Sequence, residues 1–293
     1  GALSVPNRNL HGRKGSAFPN DRSKTEDFFF MLGPELKLDT SLVDALVSGD
    51  LLVRGRRTNS IFYATWGDTE ISNHIKTFGV TPKIAFTTDF FDIDNRLLMG
   101  VDYYHHKDEI LSGNPAAAKD MIIIEKDSVG LYISDTIEPF DSFFVNGGLR
   151  SEWAFYNFDQ QAVLTTTAEK KPSEYAYEVG LDYKYGDKSS LYTNFSRSFR
   201  FPAVDEWYSA LWQFFGVQGG GLNLNLKPQV GLNYEVGIKE RSSKYLGLDA
   251  NFFIMDIKKE LYFDPVTLRN SNYERTIHSG IETEAHAYLF DMI

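Results

Sequence analysis

What most limits the folds open to this chain is a two-residue alternation of oily and wet side chains, sustained over unusually long segments. In "SLYTNFSRSFRFPAVDEW", residues 190–207, Leu191, Thr193, Phe195, Arg197 and Phe199 share one parity, and Tyr192, Asn194, Ser196, Ser198 and Arg200 share the other. Over 175–185, Tyr175, Tyr177, Val179, Leu181, Tyr183 and Tyr185 oppose Ala176, Glu178, Gly180, Asp182 and Lys184. The same rhythm sets Leu232, Tyr234, Val236 and Ile238 against Asn233, Glu235, Gly237 and Lys239. Near the end it sets Ile277, Ile281, Ala285 and Leu289 against His278, Glu282, Glu284 and His286. Successive side chains of a strand point to opposite faces, so each segment reads as a strand with one apolar and one solvated face.

Strands of this kind are expected near 27–39, 50–65, 75–88, 95–107, 125–138, 143–157, 173–185, 188–200, 229–240, 244–259 and 276–289, about eleven in all. Residues 1–26 read as an irregular segment and 27–293 as the strand-bearing domain, with 39–50 a longer turn. Connections at 91–95, 139–142, 185–189 and 241–244 are short and rich in Asp, Asn, Gly and Ser, as hairpin turns require. Those at 104–124, 157–173, 201–229 and 260–275 are long. Globular strands usually run about five or six residues, whereas a tilted strand crossing a bilayer needs about nine to eleven. Long strands with short turns on one side and long loops on the other describe an all-β, transmembrane, antiparallel up-and-down β-barrel. Lipid offers the backbone no hydrogen-bond partner, so such a sheet must close on itself. The Tyr/Leu/Val/Ile/Phe parity then meets lipid, and the Glu/Asn/Lys/Asp parity meets a wet interior. A soluble β-sandwich or propeller is the competing architecture, but its strands would be shorter and its loops not sorted by length.

Composition removes other classes. Aromatics make up 15% of the 293 residues, with 23 Phe and 16 Tyr, an excess suited to strands and interfacial belts. No apolar run approaches the roughly 20 residues of a membrane helix. Cysteine is absent, which excludes disulfides, thiolate metal sites and a Cys nucleophile. A formal charge of -10 argues against a nucleic-acid partner. No nucleophile elbow, P-loop, HExxH pair or dinucleotide-binding glycine set occurs in a usable context, so no catalytic residue is assigned and no enzyme is expected. The opening "GALSVPNRNL" lacks a basic and apolar leader.

Several segments resemble one family, the TonB-dependent outer-membrane receptors. "GLYISDTIEPFDSFFVNGGLR" at 130–150 is similar to that family's mid-barrel hairpin. "LYTNFSRSFRFPAVDEWY" at 191–208 is similar to its Ser-x-Gly-Phe-Arg-x-Pro strand, with Ser198 in place of the glycine. "NLNLKPQVGLNYEVGIK" at 223–239 resembles its Asn-Pro-x-Leu-Lys-Pro-Glu and Asn-Tyr-Glu-x-Gly-x-Lys steps, with Leu224 and Gln229 as departures. "DANFFIMDIKKEL" at 249–261 and "NYERTIHSGIETE" at 272–284 match the strands that follow. The resemblance implies a barrel of about 22 strands around an N-terminal plug, of which this chain carries the partial barrel without the plug. It also implies an outer-membrane location in a Gram-negative-type bacterium, surrounding lipid, and energy from the TonB complex through the plug. The cargo implied is a bulky scarce nutrient, most often a ferric siderophore. No cofactor of the protein's own is expected, the bound small molecule being a ferric chelate. A passive porin, a receptor for cobalamin, haem or glycan, and an adhesive barrel are the alternatives.

Candidate sites follow from facing and from loop composition. The loop after Phe201 concentrates Trp207, Tyr208, Trp212, Phe214 and Phe215 before Gly219, Gly220 and Gly221, a set of rings suited to a ligand vestibule or to packing between loops. Arg200 has inward parity at the same rim and would attract an anionic chelate. Arg197 has lipid-side parity and is expected to snorkel to the interface. Arg150, Glu178, Glu235, Lys239 and Glu282 are expected to line the lumen and face a plug, with Gly180, Gly237 and Gly280 leaving room for its backbone. His105 and His106 are adjacent and should face opposite sides, so no metal site is assigned. Haem receptors tend to carry a His in the loop that here spans 203–222, which has none.

Overall fold

The computed structural model describes residues 20–39, 44–63, 68–90, 93–116, 118–161, 165–210, 221–241, 243 and 245–287. The strands are β1 (Arg22–Leu32), β2 (Glu35–Asp39), β3 (Asp44–Phe62), β4 (Thr69–Phe90), β5 (Ile93–Gly113), β6 (Asp120–Phe140), β7 (Phe143–Gln161) and β8 (Thr166–Lys170). They continue with β9 (Ser173–Gly186), β10 (Ser189–Arg200), the two-residue pair β11 (Tyr208–Ser209) and β12 (Gly221–Leu222), then β13 (Gln229–Glu240), β14 (Leu246–Asp264) and β15 (Arg269–Ala287). One antiparallel sheet runs β1-β3-β4-β5-β6-β7-β9-β10-β13-β14-β15, with β2 paired to β3 and β8 to β7. Each main strand pairs with its sequence neighbours along this path, as an up-and-down meander must.

The facing expected from parity is the facing observed. Leu181 is 39% exposed and Tyr234 49% exposed, and Val179, Tyr183, Val236, Ile277 and Ile281 are exposed with them. Apolar side chains displayed in such a contiguous sheet face are stable only against an apolar surrounding. Across β9, β10 and β13 this face carries a line of rings: Tyr177 lies 5.6 Å from Phe195, and Phe195 lies 4.8 Å from Tyr234. In β5 the outward apolar run covers Leu97, Met99, Val101 and Tyr103. Above it the outward side chains turn polar, with His105 on Asp127 at 3.0 Å and Lys107 on Glu125 at 3.2 Å. The belt therefore ends near Tyr103, and the rest of β5 stands clear of it.

Five expectations need revision. The long connections expected at 104–124 and 260–275 are mostly strand: β5 continues to Gly113 and β6 begins at Asp120, while β14 continues to Asp264 and β15 begins at Arg269. Outside lipid a strand needs no oily face, so alternation fades while the hydrogen-bond ladder continues. The stretch read as a turn at 39–50 is already β3 from Asp44, and β1 begins at Arg22 within the stretch read as irregular. Within 157–173, β7 runs on to Gln161 and β8 pairs back onto it. β5 and β6 have 21 residues each, about 70 Å at a strand's rise, roughly twice the thickness of a bilayer's hydrocarbon core.

Candidate functional site

The polar parity forms the other face of the sheet. Register places Arg150 opposite Ala176, Glu178 opposite Gly148, Asn194 opposite Glu235, Lys239 opposite Asp249, and Glu282 opposite Asn251. All five residues expected to line the lumen thus lie on one face. Arg150 is its most heavily bonded member. It donates to Asp102 at 2.5 Å and to Glu152 at 2.7 and 3.1 Å. Lys239 stands over the Tyr192 ring at 5.7 Å, and Asn233 donates to Glu235 at 2.7 Å.

The glycines on this face do not leave the openings expected for a plug. A Cβ at Gly237 would collide with the Tyr192 ring and one at Gly180 with the Asn146 amide, and a Cβ at Gly280 would lie 3.0 Å from the Phe253 ring. Side chains of neighbouring strands fill the vacated space, so these glycines serve packing within the wall.

The segment after β10 does not project outward as a free loop; it folds back across the polar face. A single 3-10 turn, Val204–Glu206, is closed by Glu206, whose carboxylate accepts from Ala203 N at 2.7 Å. Trp207 sits edge-on to Tyr156 and Phe158, 5.0 Å from each, and is 2% exposed. Tyr156 donates its hydroxyl to the Pro202 carbonyl at 2.6 Å. Phe201, Val204, Tyr208 and Ala210 join Ile110, Ile122, Ile124, Ala154 and Phe158 in one buried cluster. Asn223 and Asn270 tie the return path, Asn223 donating to the Asn270 carbonyl at 2.7 Å and Asn270 to the Glu206 carbonyl at 2.9 Å. Gln229, where the family motif carries Glu, accepts from Leu261 N at 3.0 Å.

Of the vestibule candidates, then, Trp207 and Tyr208 are buried as packing residues with no free ring face. Arg200 is held by Glu206 at 2.9 Å. Trp212, Phe214 and Phe215 lie outside the described residues. Arg197 keeps its outward parity, but it is paired with Glu174 at 2.7 Å and stacked 3.8 Å over Tyr175 with 13% of its side chain exposed, so it is more a fixed member of the surface than a free snorkel. His105 and His106 do diverge, His105 to Asp127 on the outer face and His106 to Thr77, 3.0 Å away on the inner one.

Beneath the folded segment lie carboxylates that the sequence reading did not single out. Asp108 is fully buried, accepts from Asn73 at 3.3 Å, and has one oxygen without a partner among the described residues. Burial, reinforced by the charge of Asp205 on the 3-10 turn, lifts its carboxyl to about 7. Burial raises Asp205 as well, against the opposing pull of Arg56 and Arg200. The signal that could have found this patch is a break in parity: Trp153, Ala154, Phe155, Tyr156 and Phe158 are apolar on both faces, as are Met121, Ile122, Ile123 and Ile124. Among the described residues, Asp249, Glu284 and His286 bring three metal-capable donors together, with Arg241 already holding Asp249 at 2.5 Å.

A long-stranded antiparallel up-and-down wall with one oily face, one ionic face and a segment folded over the ionic side is the architecture of a β-barrel wall. The chain belongs to the TonB-dependent receptor family, as its barrel: the family profile described as TonB dependent receptor-like, beta-barrel, matches residues 3–292. Solved structures share the fold at low identity. The ferric citrate transporter FecA in its unliganded form superposes with a TM-score of 0.77 at 15% identity, covering 97% of this chain and 42% of its own. The siderophore receptor PiuA from Acinetobacter baumannii gives 0.72 at 16% identity, covering 93% of this chain and 46% of its own. The copper transporter OprC gives 0.73 at 13% identity, covering 94% and 45%. This chain therefore spans less than half the length of these structures. No curated protein sequence matches.

Proposed function

We propose that the protein is an outer-membrane receptor that takes up a bulky, scarce nutrient, a ferric siderophore foremost, using energy delivered by the TonB complex through a plug. The observation that carries this reading is the inward docking of residues 201–210 on the ionic face of a barrel of this family. A segment seated on the wall by Trp207 covers part of the inner face, as a receptor that must hold its cargo before passage would require. Among the described vestibule candidates it leaves Arg200, half-exposed at the rim beside Glu206, to meet an incoming chelate. The ferric citrate and siderophore specificities of FecA and PiuA support an iron chelate as the first cargo to test; OprC supports copper as the second. Binding of ferric siderophores, cupric ions, cobalamin and oligosaccharides to the intact protein tests the proposal. Saturable binding of an iron chelate is the expected result. Saturable binding of oligosaccharide with none of iron complexes would overturn it.

A further inference from the structure

The outer face carries a concentration of unpaired positive charge that uptake through the lumen does not use. We propose that a cavity on the lipid side of β10, β13 and β14 holds the phosphate of an anionic lipid headgroup. This rests on the reading that the oily face of the sheet meets lipid. The cavity has a volume of about 450 Å³ and a floor of Val230 and Leu232, both of outward parity. Four cations line it: Arg197, Lys227, Lys258 and Lys259.

Its height on the wall suits a headgroup. Phe195 and Tyr234 mark the ring line, and Arg197 stands opposite Leu232, two residues further along. Two residues of strand are about 7 Å. The headgroup layer begins at the edge of the hydrocarbon core and is about 5–7 Å deep on each side. Lys258, opposite Val230, is two residues higher still, within reach of the same layer through its flexible stem.

Charge balance singles out this place. The two acids lining the cavity are already engaged, Glu174 by Arg197 at 2.7 Å and Asp256 by Arg275 at 2.9 Å through both of its oxygens. Among the described residues the ammonium groups of Lys227, Lys258 and Lys259 form no ion pair or hydrogen bond, Lys258 acting on the Arg275-bound Asp256 only as a nearby charge, and Nη1 of Arg197 has no acceptor. Two outward cations above the belt on β4 and β5, by contrast, find acids: Lys107 lies 3.2 Å from Glu125, and Lys76 3.8 Å from Glu109.

The backbone contributes a second, independent observation. Neighbouring residues of a strand point to opposite faces, yet Lys258 and Lys259 line the same cavity. Lys259 has a left-handed φ of 56° in the middle of β14, whereas the other non-glycine residues with positive φ, Ser142 and Leu268, sit at turns. Such a conformation is costly away from glycine and persists where the surroundings require it. Here it accompanies a second lysine lining the cavity on the oily side of the wall. A phosphate supplies the missing counter-charge. The lysines act as point charges around it, and Arg197, whose own fork is held by Glu174 and Tyr175, adds its charge to the field.

The test uses the intact protein in phosphatidylcholine nanodiscs doped with bisphosphorylated lipid A, with the dephosphorylated lipid as control, and lipid retained after detergent exchange is measured by mass spectrometry. Heat-modifiable migration and protease protection first establish insertion. The expected result is retention of the phosphorylated lipid at least about tenfold above the control, falling to the control level in the combined Lys227→Gln, Lys258→Gln, Lys259→Gln variant while insertion is kept. Equal retention of the two lipids, or a variant that retains the phosphorylated lipid as the parent does, would overturn the site. Displacement of the lipid by millimolar inorganic phosphate would overturn the assignment to a lipid headgroup. A parent protein that fails to insert would instead overturn the lipid-facing reading beneath the proposal.

Discussion

Two parts of the ionic wall, built from the same kind of strand, behave differently. On β9, β13 and β15, Glu178, Lys239 and Glu282 remain exposed and the face is wet. On β5, β6 and β7, the same parity carries Ile110, Ile122, Ile124, Ala154, Tyr156 and Phe158, all buried under residues 201–210. Strand geometry is common to both, so it does not explain the difference. Side-chain chemistry does: an oily patch on a polar face is unstable until something covers it, and here the chain's own loop does so. A small core has been built inside a wall whose other side is the oily one.

The contrast can be broken most forcefully at its centre. Trp207→Ala removes the ring held between Tyr156 and Phe158, and docking of the segment should weaken by about 3–5 kcal/mol. Limited proteolysis within 201–210 should then become rapid while the barrel stays resistant; a segment as protected as in the parent would show that the core does not hold it. Leu181→Arg tests the opposite face. A charge in the middle of the oily belt should cost about 2–4 kcal/mol of insertion, read from folding into bilayers, and unchanged folding would refute the facing. Gly237→Ala tests the wet part of the wall. The added methyl meets the Tyr192 ring and should cost about 1–3 kcal/mol, recovered when Tyr192→Ala is added. Additive losses from the two changes would mean that the ring does not occupy the glycine's space.

The subtlest difference between the two regions is in pH response. With the segment in place, burial and the charge of Asp205 lift Asp108 from 3.8 to about 7, so release of the segment, which removes Asp205 and uncovers the carboxyl, should let protons go between those values. Docking should therefore be tightest near pH 4, weaken as pH rises toward 7, and level off beyond. Asp205, raised in the same direction, adds to the trend. Hydrogen exchange of 201–210 across this range measures it. Asp108→Asn should flatten the profile, and an equally steep profile in that variant would locate the titrating group elsewhere.

Much of the wall was legible from residues alone. About eleven main strands, their facing and the inward parity of Arg150, Glu178, Glu235, Lys239 and Glu282 all follow from a period of two, which a strand imposes locally. Strand ends were less legible, because beyond the lipid the oily face is no longer needed and β5 and β6 continue without its signal. The folding of Trp207 against Tyr156 was not legible as a contact. The parity break at 153–158 shows that something covers the inner face there, but no local rule says which distant segment does so.

By itself, the sequence determined a strand-built wall with an oily side and an ionic side, because facing is set residue by residue along an extended backbone. Only the tertiary structure decided how the faces are used: that loop 201–210 turns inward, that rings fill the gaps left by glycines, and that Lys258 and Lys259 share one side. Each of these depends on side chains brought together from different strands, and their proximity exists only once the sheet is assembled.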